Sequence, residues 1–243
     1  MKGSIIEIDY KTAVDFLLPR HYSGRTPSIS KAFGWFDCQT YTADHLKAVC
    51  TFGKPASPPL CVGICGKEHA QSVYELNRLC RTDDWNEPLS QFVSACLRRL
   101  RVQDWIVVSY SDTGMNHHGY IYQACNFLYT GCTKERTDKY TAKGKHARHY
   151  KNEEQGEYRK VRTAKHRYVY FCTYRKSLKR QWKEALKYPV MEYPKGDNAE
   201  DYVLGDYMKE RLVRVRECTG HMETKITSFM ASEKQGYIPS GHK

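Results

Sequence analysis

Residues 4–9 (SIIEID) alternate apolar and polar side chains and read as a short strand, and residues 12–19 read as a helix that stops at Pro19. HYSGRTP (21–27) is loop-like. Residues 32–36 and 46–52 read as two strands across a polar turn, and 53–59 as a Pro/Ser loop. VYELNRLC (73–80) is another strand, broken after it by Asp83, Asp84, Asn86 and Pro88. Leu89, Phe92, Val93, Cys96, Leu97 and Leu100 then recur with helical period. WIVVSY (105–110) is continuously apolar, as a central strand is. Residues 118–126 predict a short helix, 127–131 and 168–174 two strands, and 178–186 a basic helix. After Pro189 the stretch KGDNAED reads as a linker, and 202–218 as one more helix.

This order predicts an α/β chain with a mixed central sheet flanked by helices. One domain is expected over 1–195, followed by a helical or partly disordered tail over 196–243. No apolar run is long enough for a membrane span. MKGSIIEIDYK carries no secretion-signal core, so a reducing cytoplasm is expected. The cysteines form no CxxC pair, so most read as small buried apolar residues and a structural zinc site is not expected, including at Cys61 and Cys65.

Charge changes this picture. The formal net charge is +12, and residues 134–183 hold 17 Lys/Arg against 5 Asp/Glu, so the rest of the chain sums to zero. Such a local field points to a polyanion, most simply double-stranded DNA, with Lys143, Lys145, Arg148, Arg159, Lys160, Arg162, Lys165 and Arg167 as phosphate-tracking residues. A solvated basic face is the plain alternative.

The densest chemistry is SYSDTGMNHHGYIYQACNFLYTG (109–131), just beyond the apolar strand, where open α/β sheets place ligands. Asp112 can act as a base or orient a histidine, and Tyr122 can donate a proton or ligate a metal. Capping by Asp112 and packing of the tyrosines remain open beside this. Arg78 inside a strand needs a partner, either Glu75 or a ligand phosphate. Strict alternation places Glu75 with Asn77 on one face and Arg78 with Leu76 on the other. The helix start near Asn86 and Ser90 can cap itself or hold a phosphate.

HYSGR (21–25), TFGKPAS (51–57), ELNRL (75–79), SYSD (109–112), the 117–131 run and KHRYVYF (165–171) together resemble the bacteriophage Mom DNA-modification proteins, over roughly residues 5–195. The resemblance implies a GNAT-like acyltransferase fold with a C-terminal basic extension. It implies modification of the exocyclic amine of adenine in DNA to an N6-carbamoylmethyl (acetamido) adenine, protecting DNA from restriction in the cytoplasm of a phage-infected bacterium. It places catalytic groups at His21, Tyr22, Asp112 and Tyr122, and donor or substrate contacts at Arg78 and Ser90. Asn126 and Tyr129 are candidates to line a pocket for a flipped base. Iron at His21, Tyr22 and Tyr122, and acetyl-CoA or another two-carbon donor, come with it. The segment CRTDDWNEP (80–88) departs from the glycine-containing pyrophosphate loop of ordinary GNAT proteins. Two other readings are carried: a GNAT-type N-acyltransferase acting on a protein or small molecule, and a non-catalytic DNA-binding protein.

Overall fold

Asp9 starts the first helix. Its carboxylate accepts the Thr12 amide at 2.9 Å, satisfying one of the orphan N–H groups of a helix start. Strand β1 (Ser4–Glu7) thus leads directly into α1 (Tyr10–Leu17). The structure, a computed structural model, describes residues 3–21, 23–139, 158–196 and 212–214. The further elements are β2 (Lys31–Phe36), β3 (Leu46–Gly53), α2 (Pro58–Cys65), β4 (Val73–Arg81), α3 (Leu89–Leu100) and β5 (Trp105–Asp112). They continue with α4 (Tyr120–Ala124), β6 (Leu128–Cys132), β7 (Arg136–Lys139), β8 (Tyr158–Arg162), β9 (Lys165–Cys172), α5 (Lys176–Ala185) and β10 (Leu212–Arg214).

Three departures from the sequence expectation have physical reasons. Helix α2 begins inside the expected Pro/Ser loop, because Pro58 and Pro59 sit in its first turn, where a missing N–H is tolerated. Strands β7 (RTDK) and β8 (YRKVR) escape the apolar pattern because charged side chains dominate them. The expected helix over 202–218 is a strand in its described part, β10, paired antiparallel with β8.

The main sheet runs β1-β2-β3-β4-β5-β9-β6. Among the described residues β4 and β5 alone pair in parallel, and α3 makes the crossover between them. One sheet face carries α3, whose Phe92, Val93, Cys96, Leu97 and Leu100 are buried on a core that includes Phe52, Leu76 and Val107. The other face carries α1 at one side, with Phe16 and Leu17 near Val49 and Cys80. It carries α2 and α5 at the other side, with Ile64 and Trp182 against Ile106, Val108 and Val169. Each such fully buried side chain contributes roughly 1.5–3 kcal/mol.

The chain forms two compact units, Met1–Thr133 with Lys165–Ala199, and Lys134–Ala164 with Glu200–Lys243. The second holds the small sheet β10-β8-β7. The basic tract is therefore divided: β9 and α5 belong to the first unit, and β7 and β8 to the second.

Candidate active site

Strands β4 and β5 pair only from Val73/Ile106 to Glu75/Val108. Beyond that β4 continues with β3, and β5 with β9. Where the two part, Ser109 Oγ donates to the Leu76 carbonyl at 2.9 Å, supplying a bond the ladder no longer provides. The register against β3 steps from Phe52↔Leu76 to Thr51↔Arg78, so Asn77 is an inserted bulge residue. This corrects the strict alternation. Leu76 stays in the α3 core, while the bulge carries Arg78 to the opposite face, that of Glu75 and Cys80.

The bulge also holds the HYSGR loop. Asn77 Nδ2 donates to the Ser28 carbonyl and its Oδ1 accepts Thr51 Oγ1, each at 2.7 Å. Arg78 donates to the carbonyls of Asn77 (2.6 Å) and Arg25 (3.4 Å). Gly53 permits this approach, since a Cβ there would lie 1.7 Å from the Ser28 oxygen.

Five ionisable groups act on one another at this place. The His21 amide donates to the Leu17 carbonyl, so the ring stands at the end of α1. Its Nδ1 accepts the Ser23 N–H at 3.1 Å and lies 2.9 Å from Ser23 Oγ. Burial pushes its pKa down to about 3, and the Arg78 and Lys165 charges add to the effect. The imidazole is neutral, and with Nδ1 accepting, its proton lies on Nε2. Burial raises the Glu75 carboxyl, and the same two cations oppose it. Asp112 Oδ2 takes the Lys165 ammonium at 2.5 Å and Oδ1 the Gly114 amide at 3.0 Å. Asp112 and Lys165 are direct cross-strand partners. Sequence reasoning gave Lys165 to phosphate tracking and used Glu75 only as a partner for Arg78. The signal for Lys165 was the pairing of β9 with β5, visible only in the folded chain.

On the α3 face lie Ile121, Tyr122, Cys125, Phe127 and Tyr129 of the 109–131 motif, while Tyr110 and Leu128 pack on the opposite face. Tyr122 packs against Tyr168 and Phe127, with ring centroids at 5.3 and 5.5 Å. Tyr129 Oη and His166 Nδ1 are 2.9 Å apart. Tyr168 donates its hydroxyl proton to the His118 carbonyl and accepts from Gln123. Gly119 (φ +81°) lets the preceding loop settle on Tyr168, whose ring a Cβ would meet at 2.5 Å. Ser111 Oγ is buried among these groups with no hydrogen-bond partner among the described residues. Asn126 is exposed, with φ +60°, and its amide bonds to Gln123 O; it is the turn residue between α4 and β6. Ser90 lies in the first turn of α3 and lines a groove of about 300 Å³ with Gln91, Ser94, Arg98 and Ala124.

Tyr22, Lys143, Lys145 and Arg148 lie outside the described residues. Arg167 is engaged by Thr130 at 2.7 and 2.9 Å and stacks on Tyr188. In the second unit Arg159 bonds Thr137 and Arg162 reaches Asp138 at 3.1 Å, while Lys160 lies between them on β8.

The described residues do not fit the implied iron at His21. Nε2 already carries the proton fixed by the Ser23 N–H, and the Arg78 and Lys165 charges disfavour a further cation. Three amides of the β4–α3 connection are already taken and so are not open to a CoA pyrophosphate. The amides of Thr82, Trp85 and Gln91 are bonded to Lys47, Thr82 and Pro88 carbonyls, and Pro88 has no N–H. Asp83 adds exposed negative charge.

A seven-stranded mixed sheet with helices on both faces and one bulged, parting parallel pair defines a mixed α/β protein. Within that class, the chain belongs to the Mom protein family, whose model matches residues 3–195. Among solved structures it is similar to a Bacillus subtilis acetyltransferase in complex with CoA, at 14% identity and TM-score 0.39 over 70% of this chain and 99% of that one. A Staphylococcus aureus Mu50 N-acetyltransferase matches at 11% identity and TM-score 0.43 over 71% and 100%. Arabidopsis thaliana NAA60 in complex with acetyl-CoA matches at 10% and 0.42 over 70% and 98%. A search of curated proteins found no match.

Proposed function

We propose that this protein modifies the exocyclic amine of adenine in double-stranded DNA, giving an N6-carbamoylmethyl (acetamido) adenine. The observation that carries the reading is the half-buried group of His21, Glu75, Arg78, Asp112 and Lys165 where β4 and β5 part, in a chain of the Mom family. The N6 lone pair is delocalised into the purine ring, so this amine attacks a donor carbon only if its proton is removed as the N–C bond forms. Glu75 is suited to take that proton, because burial lifts its pKa toward neutrality, whereas Asp112 is tied to Lys165. The donor's leaving group departs with the bonding electron pair, and Arg78 and Lys165 offer positive charge to it. The neutral His21 Nε2–H is a donor suited to the carboxamide oxygen of the transferred group. The two-carbon donor is named only by this chemistry.

The basic tract supports DNA as the substrate, with the target base flipped out of the stack. A substituent on N6 alters the adenine edge that major-groove readers use, which accounts for protection from restriction. The test is mass spectrometry of nucleosides from DNA of cells expressing the protein. A deoxyadenosine heavier by one carbamoylmethyl group in place of hydrogen is expected. Unmodified DNA in the presence of folded protein overturns the reading. An acylated protein or small molecule without a DNA product would establish the acyltransferase alternative, and salt-sensitive DNA binding alone the non-catalytic one.

A further inference from the structure

The connection between β2 and β3 gathers metal-ligating side chains away from the cluster described above. The Asp37 amide donates to the His45 carbonyl at 3.1 Å and closes the hairpin, continuing the Phe36↔Leu46 pairing. Asp37 Oδ1 lies 2.8 Å from His45 Nδ1. Between them in sequence, Cys38 Sγ accepts the Thr40 N–H at 3.2 Å. The carboxylate oxygen, the sulfur and an imidazole nitrogen all lie within 4.8 Å of one another, a grouping found once among the described residues.

We propose that Asp37, Cys38 and His45 form a zinc-binding site with three protein ligands and a fourth position open to solvent. The donor set supports zinc: one thiolate, one imidazole and one carboxylate, with no requirement for a second cysteine. The geometry is close to what the ion needs. Bonds of about 2.0–2.3 Å in a tetrahedral arrangement put N and O about 3.4 Å apart and S and N about 3.6 Å apart. The imidazole and carboxylate therefore open by roughly half an ångström from their present contact, and the ion replaces the proton between them. The Thr40 N–H already points at the sulfur and would support it as a thiolate.

Charge also balances. A thiolate and a carboxylate neutralise Zn²⁺. Lys47 stands 3.6 Å from the other Asp37 oxygen, but its ammonium is satisfied at 2.8 Å by Asp84. Asp37 is exposed and the other two ligands half-buried, so an ion has a direct way in. The cysteine spacing gave no hint of this, because hairpin closure rather than a CxxC turn assembles the ligands.

Cobalt(II) serves as the probe, since a thiolate ligand gives a charge-transfer band in the near ultraviolet. The full chain, purified without metal, is titrated with cobalt and then with zinc. A band saturating at one cobalt per chain, abolished by zinc and by Cys38→Ser, is expected. The exposed Cys132 provides the control, and Cys132→Ser keeps the band. His45→Gln and Asp37→Asn each weaken cobalt binding about tenfold or more. No band in the parent chain, or a band that survives Cys38→Ser, overturns the site. A band lost in Cys38→Ser but untouched in both His45→Gln and Asp37→Asn also overturns it, as metal held by a thiol alone. None of these readouts depends on DNA modification.

Discussion

The two faces of β5 near its end differ in kind, although one stretch of sequence supplies both. On the face of Asp112, the ionisable groups of His21, Glu75, Arg78 and Lys165 are brought out of water and perturb one another. On the face of Ser111, rings and hydroxyls of Tyr122, Tyr129, His166 and Tyr168 fill space and satisfy one another. Burial shifts pKa values on both faces, lowering His166 and raising Tyr129 and Tyr168 on the second, but only on the first do two fixed cations, Arg78 and Lys165, act on both a histidine and a carboxylate. The second is what a rigid wall needs. The comparison teaches that proximity in sequence to Asp112 does not by itself mark a residue for chemistry: the pleat divides neighbours between a face of ionisable groups and a face of packed rings.

The largest effect should come from Asp112→Ala. Removing the carboxylate that holds the Lys165 ammonium should lower modified deoxyadenosine by about 100-fold or more, with an ordinary circular-dichroism spectrum. Tyr129→Phe on the other face should keep activity within about tenfold of the parent. If the two results change places in a nucleoside digest, the assignment of faces is wrong.

Next is Glu75→Gln, in which activity and stability should move in opposite directions. Burial raises the Glu75 pKa above its ordinary 4.5, so the folded chain holds this proton more tightly than the unfolded one. The stabilisation is fully present below about 4.5 and is lost as pH rises through the folded value. At neutral pH the ionised side chain costs stability, so the glutamine variant should melt at the same temperature or higher while activity falls about 100-fold. The acid limb of the parent's pH–activity profile should lie above the range of an ordinary glutamate. A variant that is active and less stable would remove Glu75 from the proposed role.

A smaller effect concerns His21. Its folded pKa of about 3 lies below the ordinary 6.5, so the unfolded chain takes up the proton first. Stability present above 6.5 is lost as pH falls toward 3. Thermal melts at pH values of about 7 and 5 should show the parent losing more stability than His21→Asn. Equal losses would mean that the imidazole is not held neutral by burial.

Much of the fold was legible because apolar periodicity reports burial. The strands over 32–36, 46–52 and 73–80 bury apolar residues on both faces and the helix at Leu89–Leu100 on one, so pattern and structure agree within a residue or two. β7 and β8 were not legible, since their polar sequences bury little. At the site, His21, Arg78 and Asp112 were named from motif and charge, and the structure brings them to one place with Lys165 and Glu75. Periodicity failed at Arg78 because one inserted residue, Asn77, reverses the face of everything after it. Asn126 is by residue type a candidate to line a pocket for a flipped base, yet its left-handed backbone accounts for an asparagine at this turn.

The smallest expected effect tests the supporting face. Ser111 Oγ is buried with no hydrogen-bond partner among the described residues, so the fold already bears its desolvation. Ser111→Ala should leave the melting temperature unchanged or raise stability by up to about 1 kcal/mol, with activity unaltered. The comparison with Tyr168→Phe sharpens this. That change removes a hydroxyl bonded to both His118 and Gln123, and should cost about 1–2 kcal/mol. A Ser111→Ala variant that gains stability and loses activity would show that the hydroxyl is kept for a bound group. The division of β5 into a reactive and a supporting face would then fail at this residue.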